Sequence, residues 1–372
     1  MKITGVECIP VRVPVRPDLA IRGKGGYHSE SPFLLVKVHT DEGIIGLGEV
    51  SCTPRWSGED QVTAAHFIRT ILAPVLEGHD PRHIEALTAR LRGALAGNPF
   101  TKAALEMALW DILGKAVGMP IYRLFGGPVR EFVPTKWSIS GVAPERAAEI
   151  ATWAAGQGFS TMKVKVGIDP AQDIARVRAV RETIGPDIRL GIDANGAWNS
   201  AQAVSMIRRL CEFGIYFAEQ PVPPGDVNRL ADVRRQVSIP ILADESVYSP
   251  ADALAMVRAE AADALSVYVG KAAGIGPARK VSVIAEAAML GCTIGSNLEL
   301  GIGTAAMIHL AMAAPGITAD EYPCDIIGPF FYTGDILTRP LSLCGGEALP
   351  LEGPGLGVEL DEDQVNRYRV AY

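Results

Sequence analysis

Several features that would place this chain in a specialised class of protein are missing. Its six cysteines are scattered and none forms a C-x-x-C pair, which argues against a disulfide framework or a thiolate metal site. A formal net charge of -7 argues against a nucleic-acid partner, because such a partner needs a basic face. No apolar run reaches membrane length, and the first residues lack the apolar core of a signal peptide. We therefore expect a cytoplasmic globular protein with reduced thiols and no membrane partner.

The length and the order of patterns indicate more than one structural unit. At 372 residues the chain has room for two domains, or for one large barrel with an accessory piece. Residues 1 to 125 show strand-like alternation first and three helical stretches after it, with a hairpin signal at Asp41-Glu42-Gly43. We therefore predict an α+β capping domain over residues 1–125, ending at the turn residues Gly126-Gly127-Pro128.

From residue 126 the pattern changes to short β-branched runs that alternate with helical stretches. Seven strand candidates and a less clear eighth follow, at residues 133–139, 161–166, 188–193, 216–219, 240–244, 264–269, 292–297 and 318–322. This repetition predicts an α/β fold, a parallel TIM-type barrel over residues 126–339. A doubly wound sheet is the alternative, but the G-x-G-x-x-G turn expected after its first strand is absent. The irregular Pro- and Gly-rich segment 340–372 is expected to pack back on the first domain.

Charged residues fall at the carboxyl ends of successive predicted strands, where function sits in a βα barrel. Lys163 and Lys165 lie two apart on the second strand, so both side chains face the barrel interior. Asp193, Glu219 and Asp244 end the next three strands. Acids that converge on one mouth repel each other without a cation, and an all-oxygen set favours Mg²⁺. One such acid is more often a helix cap, but three in succession after a K-x-K pair favour a site.

Six motifs carry a resemblance to a known family. They are K-V-K-V-G, G-I-D-A-N-G-A-W, A-E-Q-P, A-D-E-S, G-S-N-L-E and P-G-L-G-V-E-L. In this order and spacing they resemble the enolase superfamily, in its muconate-lactonizing and mandelate-racemase-like branch. The resemblance covers nearly the whole chain and implies a capping domain over a modified (β/α)7β barrel. It also implies one Mg²⁺ ion on Asp193, Glu219 and Asp244, and self-association as dimers or octamers.

The resemblance further implies a shared first chemical step. A small carboxylate substrate binds Mg²⁺, a base removes its α-proton, and the metal stabilises the resulting enediolate. By motif match Lys165 is the base and Lys163 is its electrostatic helper. Burial and a neighbouring ammonium lower the pKa of a lysine, and both Lys163 and the Mg²⁺ charge act on Lys165 in that direction, so we expect a lowered pKa at Lys165.

One position departs from the family pattern. Aligned on the string N-x-K-x-x-K-x-G-G, the segment 266–274 has Tyr268 where members that use both substrate faces carry a catalytic lysine, and Lys271 at the outer lysine. Racemisation generally needs an acid/base group on each face, and tyrosine is a poor base. A single lysine suits syn β-elimination, in which Lys165 takes the α-proton and then protonates the leaving group. Two alternatives stay open: Tyr268 only fills space, or Lys271 reaches the site.

Six further residues are candidates for substrate contact, in the loops of the first domain and at barrel strand ends. They are Tyr27, His28, Trp56, Ser138, Glu299 and Asp325. Asp325 would pair with a substrate ammonium by charge complementarity, and a turn or cap role is the plain alternative. Trp137, next to Ser138, is expected on the floor of the same site.

Together these residues predict a Mg²⁺-dependent lyase, a dehydratase acting on a small amino- or imino-acid carboxylate. The resemblance permits cis-3-hydroxy-L-proline as a concrete candidate substrate. A racemase or epimerase of an amino acid, proline betaine or dipeptide is the first alternative. A binding protein that kept the metal site but lost turnover is the second, and the intact lysine pair and acid set disfavour it.

Overall fold

An antiparallel sheet begins the fold. The computed structural model describes residues 1–19, 22–23, 26–27 and 29–371, with the backbone alone at 22–23 and 26–27. The sheet consists of Ile3–Pro14, Glu30–Thr40 and Ile45–Ser51, and a two-stranded ribbon of Arg22–Gly23 and Gly26–Tyr27 lies in the first long loop. The turn between the last two strands has Gly43 at a φ of 78°, a backbone region that glycine occupies freely. The predicted hairpin is confirmed.

Helices pack on this sheet and complete a hydrophobic core. They are Gln61–Phe67, Ala73–Leu76, Ile84–Ala94, Pro99–Val117 and Ile121–Leu124, with the π-helical turn Ile68–Leu72 joining the first two. Pro99–Val117 begins on a proline and ends at Gly118, whose backbone is left-handed. Its apolar residues, with those of the sheet, form a core separate from that of the barrel. The chain therefore has the predicted α+β capping unit.

Seven parallel strands curl into the barrel. Barrel strands 1 to 7 are Trp137–Ile139, Thr161–Lys165, Arg189–Asp193, Ile215–Glu219, Ile241–Ala243, Ala264–Val267 and Gly291–Ile294. The helices that follow them are Pro144–Gly156, Pro170–Ile184, Ser200–Leu210, Val227–Arg234, Pro250–Arg258, Ile275–Ala287 and Gly301–Ala313. Side-chain caps begin four of these helices, at Asp169, Asn199, Asp226 and Ser249. The predicted barrel is confirmed.

The barrel closes differently from the prediction at its eighth position. Residues 318–322 form a turn with internal backbone bonds, not a strand. The stretch that follows lies between barrel strands 1 and 7: the Cys324 N–H donates to the Pro134 carbonyl at 2.9 Å, and the Asp325 N–H donates to the Ile294 carbonyl at 2.7 Å. The closing segment therefore lies a few residues later than predicted, and it brings Asp325 into the barrel.

The last segment returns to the capping unit. Its elements are the short 3-10 turn Gly328–Phe331, the strands Leu343–Cys344 and Glu347–Ala348, and the helix Glu362–Tyr368. The strand Glu347–Ala348 lies between Leu343–Cys344 and Val133–Pro134 and pairs with both. Glu362 forms an ion pair with Lys37 at 2.7 Å, and the Val370 N–H donates to the Pro10 carbonyl at 3.0 Å. The domain limits at residues 125 and 339, and self-association, stay predictions. Among the described residues, no helix is both long and apolar enough to cross a membrane.

A buried carboxyl group joins the capping unit to the barrel. Glu106, from the helix Pro99–Val117, accepts the backbone N–H groups of Ile275 and Gly276 at 2.7 and 2.8 Å, and the Trp110 indole N–H at 2.9 Å. These two N–H groups begin the helix Ile275–Ala287 and have no partner within it. Burial raises the pKa of Glu106 to about 7, and its hydrogen bonds oppose that rise. The capping unit thus caps a barrel helix.

Glu106→Ala is expected to lower the thermal unfolding midpoint. The two helix N–H groups would lose a buried acceptor, and each loss costs about 1–3 kcal/mol. Glu106→Gln keeps an acceptor of the same size and is the matched control, for which we expect a smaller shift. The measurement is thermal unfolding followed by circular dichroism. Equal midpoints for wild type and Glu106→Ala would contradict the prediction.

Candidate active site

Lys163 lies at the centre of a group of buried charges inside the barrel. Its Nζ donates to Glu219 Oε2 at 2.9 Å and to Asp325 Oδ2 at 3.0 Å, and lies 3.5 Å from Asp193 Oδ2. Burial by itself would lower the pKa of Lys163, but the carboxylates of Asp325, Glu219 and Asp193 together raise it well above the ordinary value. Lys163 is therefore held as an ammonium, which suits the electrostatic role predicted for it.

Lys165 occupies the more open position of the pair. Its side chain is 18% exposed, against 4% for Lys163, and its Nζ donates to Asp193 Oδ2 at 2.6 Å and to Asn195 Oδ1 at 2.8 Å. Burial and the Lys163 charge lower the pKa of Lys165, but Asp193 outweighs them and the net pKa is raised. The lowered pKa expected of Lys165 depends on the Mg²⁺ charge as well as on Lys163, and it stays a prediction.

Asp244 is held through both of its carboxylate oxygens. The Tyr268 hydroxyl donates to Oδ2 at 2.8 Å, and Lys271 Nζ donates to Oδ1 at 2.6 Å. Lys271 also donates to the carbonyls of Asp244 and Ser266, at 2.6 and 2.9 Å, which uses all three of its N–H groups. Burial, and then the charges of Asp244 and Glu219, raise the pKa of Tyr268 well above its ordinary value. The Tyr268 hydroxyl and all three N–H groups of Lys271 are therefore engaged in hydrogen bonds.

The Tyr268 ring is packed from several directions. The Trp56 indole, from the capping unit, stacks on it at 5.4 Å between centroids and 10° between planes. Lys271 Nζ lies over it, 4.3 Å from the ring centroid. A Cβ at Gly295 would come within 1.9 Å of the ring, so only glycine at that position leaves room for it. Position 268, where the family string would place a lysine, is therefore occupied by a closely packed aromatic side chain.

Asp325 is buried against lysines of the chain and is not open to a substrate ammonium. It is buried, and its Oδ2 contacts Lys163 Nζ at 3.0 Å and Lys136 Nζ at 3.1 Å. Burial would raise the pKa of Asp325, but the two lysines hold it below the ordinary range. Only Oδ1 lacks a hydrogen-bond partner among the described residues. The substrate role of Asp325 stays a prediction, and its observed partners are lysines of the chain itself.

The other predicted substrate contacts are dispersed. Trp56 lies at the mouth, and its indole N–H donates to Glu245 Oε1 at 3.2 Å. Ser138 is half-buried beside Lys163 in the strand register. Glu299 is buried and accepts from the Ser296 hydroxyl at 2.5 Å and the Asn297 N–H at 3.0 Å, so its contacts are local.

Two candidates of the same set remain, Tyr27 and His28, together with Trp137, which was expected on the floor of the site. The backbone of Tyr27 belongs to a short strand, but its side chain and all of His28 lie outside the described residues. Trp137 does not line the floor: it stacks on Phe331 at 4.7 Å and contacts Trp153 of the following helix. Side chains alternate along a strand, so Trp137 faces the helices when its neighbour Ser138 faces inward.

Comparisons with known proteins agree with the fold and the motifs. A family model described as the mandelate racemase / muconate lactonizing enzyme N-terminal domain matches residues 5–126. A second, described as enolase C-terminal domain-like, matches residues 145–364 and therefore most of the barrel. The chain belongs to the enolase superfamily, in its mandelate racemase and muconate lactonizing branch.

Similar members of this family are racemases, epimerases and cycloisomerases. N-succinyl-L-Arg/Lys racemase of Bacillus cereus is 34% identical in sequence, over 100% of this chain and 98% of its own length. The crystal structure of that racemase superposes on this chain with a TM-score of 0.94 and 33% sequence identity, and the superposition covers 100% of this chain and 99% of the racemase chain. Muconate cycloisomerase 1 of Rhodococcus opacus is 35% identical over 99% and 98% of the two chains. The dipeptide epimerase from Cytophaga hutchinsonii, crystallised with Mg and the dipeptide D-Ala-L-Val, is 29% identical over 99% and 98%, with a TM-score of 0.93.

Three polar residues of the site were not singled out from the sequence. Lys136, directly before barrel strand 1, is buried and contacts Asp325, and a lysine inside the predicted strand 133–139 was the available signal. Asn195 lies two residues after Asp193, and Glu245 lies directly after Asp244, within the motifs that carried the resemblance. The Asn195 amide donates to Glu245 Oε1 at 2.9 Å and its oxygen accepts from Lys165. Asn195 thus orients Lys165.

Nine side chains form what we call the barrel charge cluster. Its members are Lys136, Lys163, Lys165, Lys271, Asp193, Glu219, Asp244, Glu245 and Asp325. The cluster has one more carboxyl group than ammonium groups, so full ionisation would leave a buried net negative charge. Burial and the charges of Asp193 and Asp244 raise the pKa of Glu219 to about 8, although Lys163 opposes this. Burial and the charges of Asp244 and Asp193 also raise the pKa of Glu245, to about 7, so both carboxyl groups favour the proton that would balance the cluster.

The acid set suits a hard divalent cation by its chemistry. Among the described residues no three Asp, Glu, His or Cys side chains are already arranged around a metal position, because lysines and Tyr268 hold most of the acid oxygens. Glu219 Oε1, however, is buried without a hydrogen-bond partner in the described part of the chain. Carboxylate oxygens at three neighbouring strand ends, one of them unpaired, are donors that Mg²⁺ accepts. A divalent cation would relieve the repulsion that raises the pKa of Glu219.

Mg²⁺ binding is expected to release a proton and to strengthen as the pH rises to about 8. A carboxyl group with a raised pKa of about 8 is protonated below that pH and must lose its proton before it can bind a metal. The measurement is isothermal titration calorimetry with Mg²⁺ in buffers of different ionisation enthalpy. Glu219→Gln is the control, which should bind weakly and release no such proton. Affinity that falls with rising pH would contradict the prediction.

Proposed function

We propose that the chain is a Mg²⁺-dependent enzyme that removes the α-proton of a small amino- or imino-acid carboxylate, with Lys165 as the base. The observation that carries the proposal is the position of Lys165, the more exposed lysine of the pair, 2.6 Å from Asp193 and beside a set of acids. The motif match assigns the same role. The family relationship supports the general chemistry, since members share proton abstraction next to a carboxylate.

The residues of the chain divide the work of this step. Asp193, Glu219 and Asp244 would hold Mg²⁺, which when bound would stabilise the negative charge that develops on the substrate carboxylate. Lys165 has to lose its proton before it can act as a base. Asp193 stabilises the charged form of Lys165, so another cation would first have to pair with the Asp193 carboxylate. Lys163 stays charged beside Glu219 and Asp325 and supplies a fixed positive charge. Asn195 limits the directions in which the Lys165 amine can point.

We propose that proton transfer takes place on one face of the substrate, and that the outcome is elimination. Among the described residues, the two groups that could serve the other face are engaged: the Tyr268 hydroxyl with Asp244, and all three N–H groups of Lys271. Lys165 would take the α-proton and, as an ammonium, return it to a hydroxyl leaving group on the same face. The α-hydrogen and the β-hydroxyl then leave as water. Dehydration of cis-3-hydroxy-L-proline is the concrete candidate.

A racemase or epimerase is the second candidate, and the relatives favour it. Those described above are a racemase, an epimerase and a cycloisomerase. In that reading the substrate is an amino acid, a proline betaine or a dipeptide, and Tyr268 would deliver a proton to the face opposite Lys165. Its hydroxyl is a donor within the barrel, which suits that role, but it would have to leave Asp244 to fill it.

The first test is incubation with the four 3-hydroxyproline isomers and Mg²⁺ in D₂O, followed by NMR. We expect a dehydrated product from the cis-3-hydroxy-L isomer, since its α-hydrogen and hydroxyl can both be reached by one lysine. Deuterium at the α-carbon with scrambled configuration, and no dehydrated product, would sink the lyase proposal in favour of the racemase. If the protein neither dehydrates nor exchanges 3-hydroxyproline but does exchange the α-proton of other amino acids or dipeptides, the proposed substrate is wrong and the proposed proton abstraction stands.

Lys165→Ala is expected to lower the rate of any α-proton exchange on the order of a thousandfold, because it removes the base. The readout is deuterium incorporation by mass spectrometry. Lys280→Ala is the matched control: Lys280 is exposed and pairs with Glu85 on the protein surface, so exchange should continue at the wild-type rate. Wild-type exchange in Lys165→Ala would assign the base elsewhere.

Tyr268→Phe separates the two candidates when it is assayed at saturating Mg²⁺. Elimination on one face should continue, since it needs no second acid. Racemisation through the phenol should fall on the order of a hundredfold. The assay compares product formation with inversion at the α-carbon. Loss of elimination at saturating Mg²⁺ in a folded variant would show that the hydroxyl takes part in the chemistry.

A further inference from the structure

We propose that Tyr268 is a positioning residue, whose hydroxyl holds the Asp244 carboxylate in the orientation needed to bind Mg²⁺. The inference rests on the proposed function, because it takes Asp244 as a metal ligand. It assigns to the residue at the position of the missing lysine a role other than filling space or transferring a proton.

The first step of the argument is the hydrogen-bond geometry at Asp244. Each carboxylate oxygen accepts one donor, Oδ2 from Tyr268 and Oδ1 from Lys271, at 2.8 and 2.6 Å. A carboxylate oxygen has two lone-pair directions, so each oxygen keeps one for a cation. The two donors therefore leave Asp244 able to bind a metal, and together they stop the carboxylate from rotating.

The second step is the rigidity of the donor. Gly295 lies so close that an added Cβ would clash with the Tyr268 ring, Trp56 stacks on the ring, and Lys271 lies over it. A hydrogen bond from an outer residue fixes the orientation of a metal ligand, and it does so best when the donor is itself held rigidly. A residue that only filled space would need no hydroxyl, whereas the Tyr268 hydroxyl donates a hydrogen bond to a carboxylate oxygen of Asp244.

The third step is the charge of the donor. Lys271 already places one ammonium against Asp244, and a lysine at position 268 would add a second beside the same carboxylate. A phenol donates a hydrogen bond to Asp244 without that second charge. Tyr268 therefore fixes the Asp244 side chain and leaves Lys271 as the cation that contacts it.

The experiment measures Mg²⁺ affinity by isothermal titration calorimetry, without any substrate. Tyr268→Phe keeps the ring and removes the donor, and the dissociation constant is expected to rise about tenfold or more, the usual effect of losing such a partner. Tyr248→Phe is the matched control, since Tyr248 also stacks on Trp56 but lies outside the bond to Asp244, and it should leave the affinity within about twofold of wild type on that scale. Tyr268→p-aminophenylalanine restores an N–H donor on the same ring and should recover the affinity.

The outcomes separate this inference from the proposed function. If wild type binds no Mg²⁺, or Asp244→Asn binds it as well as wild type does, the metal assignment of the proposed function fails. If binding depends on Asp244 but Tyr268→Phe matches wild type, the positioning role is overturned and Tyr268 is a space-filling residue. If Tyr268→Phe does not fold, Gly295→Ala takes its place: it keeps the hydroxyl but displaces the ring, and it should weaken Mg²⁺ binding to a similar extent. Unchanged affinity in a folded Gly295→Ala protein would likewise overturn the role.

Discussion

The pairing of buried charge inside the barrel is the constraint on which the rest of the site depends. A charge removed from water costs several kcal/mol unless an opposite charge and hydrogen bonds compensate it. The cluster meets this cost by alternation: Lys136 and Lys163 share Asp325, Lys163 also bonds Glu219, and the other two lysines each hold an aspartate. One carboxyl group remains in excess. The negative charge of that additional carboxyl group can be balanced by a proton when no cation is bound, and by a divalent cation when one is bound.

The capping unit contributes to the site through contacts with the same cluster. Trp56 stacks on Tyr268 and donates to Glu245, so one side chain reaches both the residue that holds Asp244 and the residue that orients Asn195. Glu106 caps the helix Ile275–Ala287, which follows the loop that carries Lys271. The capping unit therefore does more than cover the mouth of the barrel. It supports the sixth βα loop, which carries Tyr268 and Lys271.

The comparison between sequence and structure has a regular physical pattern. Two placements were predicted correctly, because alternation and turn residues act over a few positions: the pair Lys163 and Lys165 on barrel strand 2, and an acid at or directly after the end of each of the next three strands. The barrel closure was misplaced, since an isolated bridge at Cys324 leaves almost no periodic signal. The pairing of Lys165 with Asp193 was not predicted, because Asp193 lies 28 positions away along the chain and only folding brings it within 2.6 Å of the amine.

The sequence by itself determined the order of the barrel strands, the residue type at each strand end and the absence of a lysine at Tyr268. These depend on local periodicity and on identity, both of which are present in the letters. Only the tertiary structure decided which charge faces which: that Asp325 binds two lysines, that Lys271 spends its N–H groups on Asp244 and Ser266, and that the Tyr268 hydroxyl meets Asp244. The reason is that ion pairs and hydrogen bonds act over about 3–4 Å, and folding alone sets such distances between residues far apart in the chain.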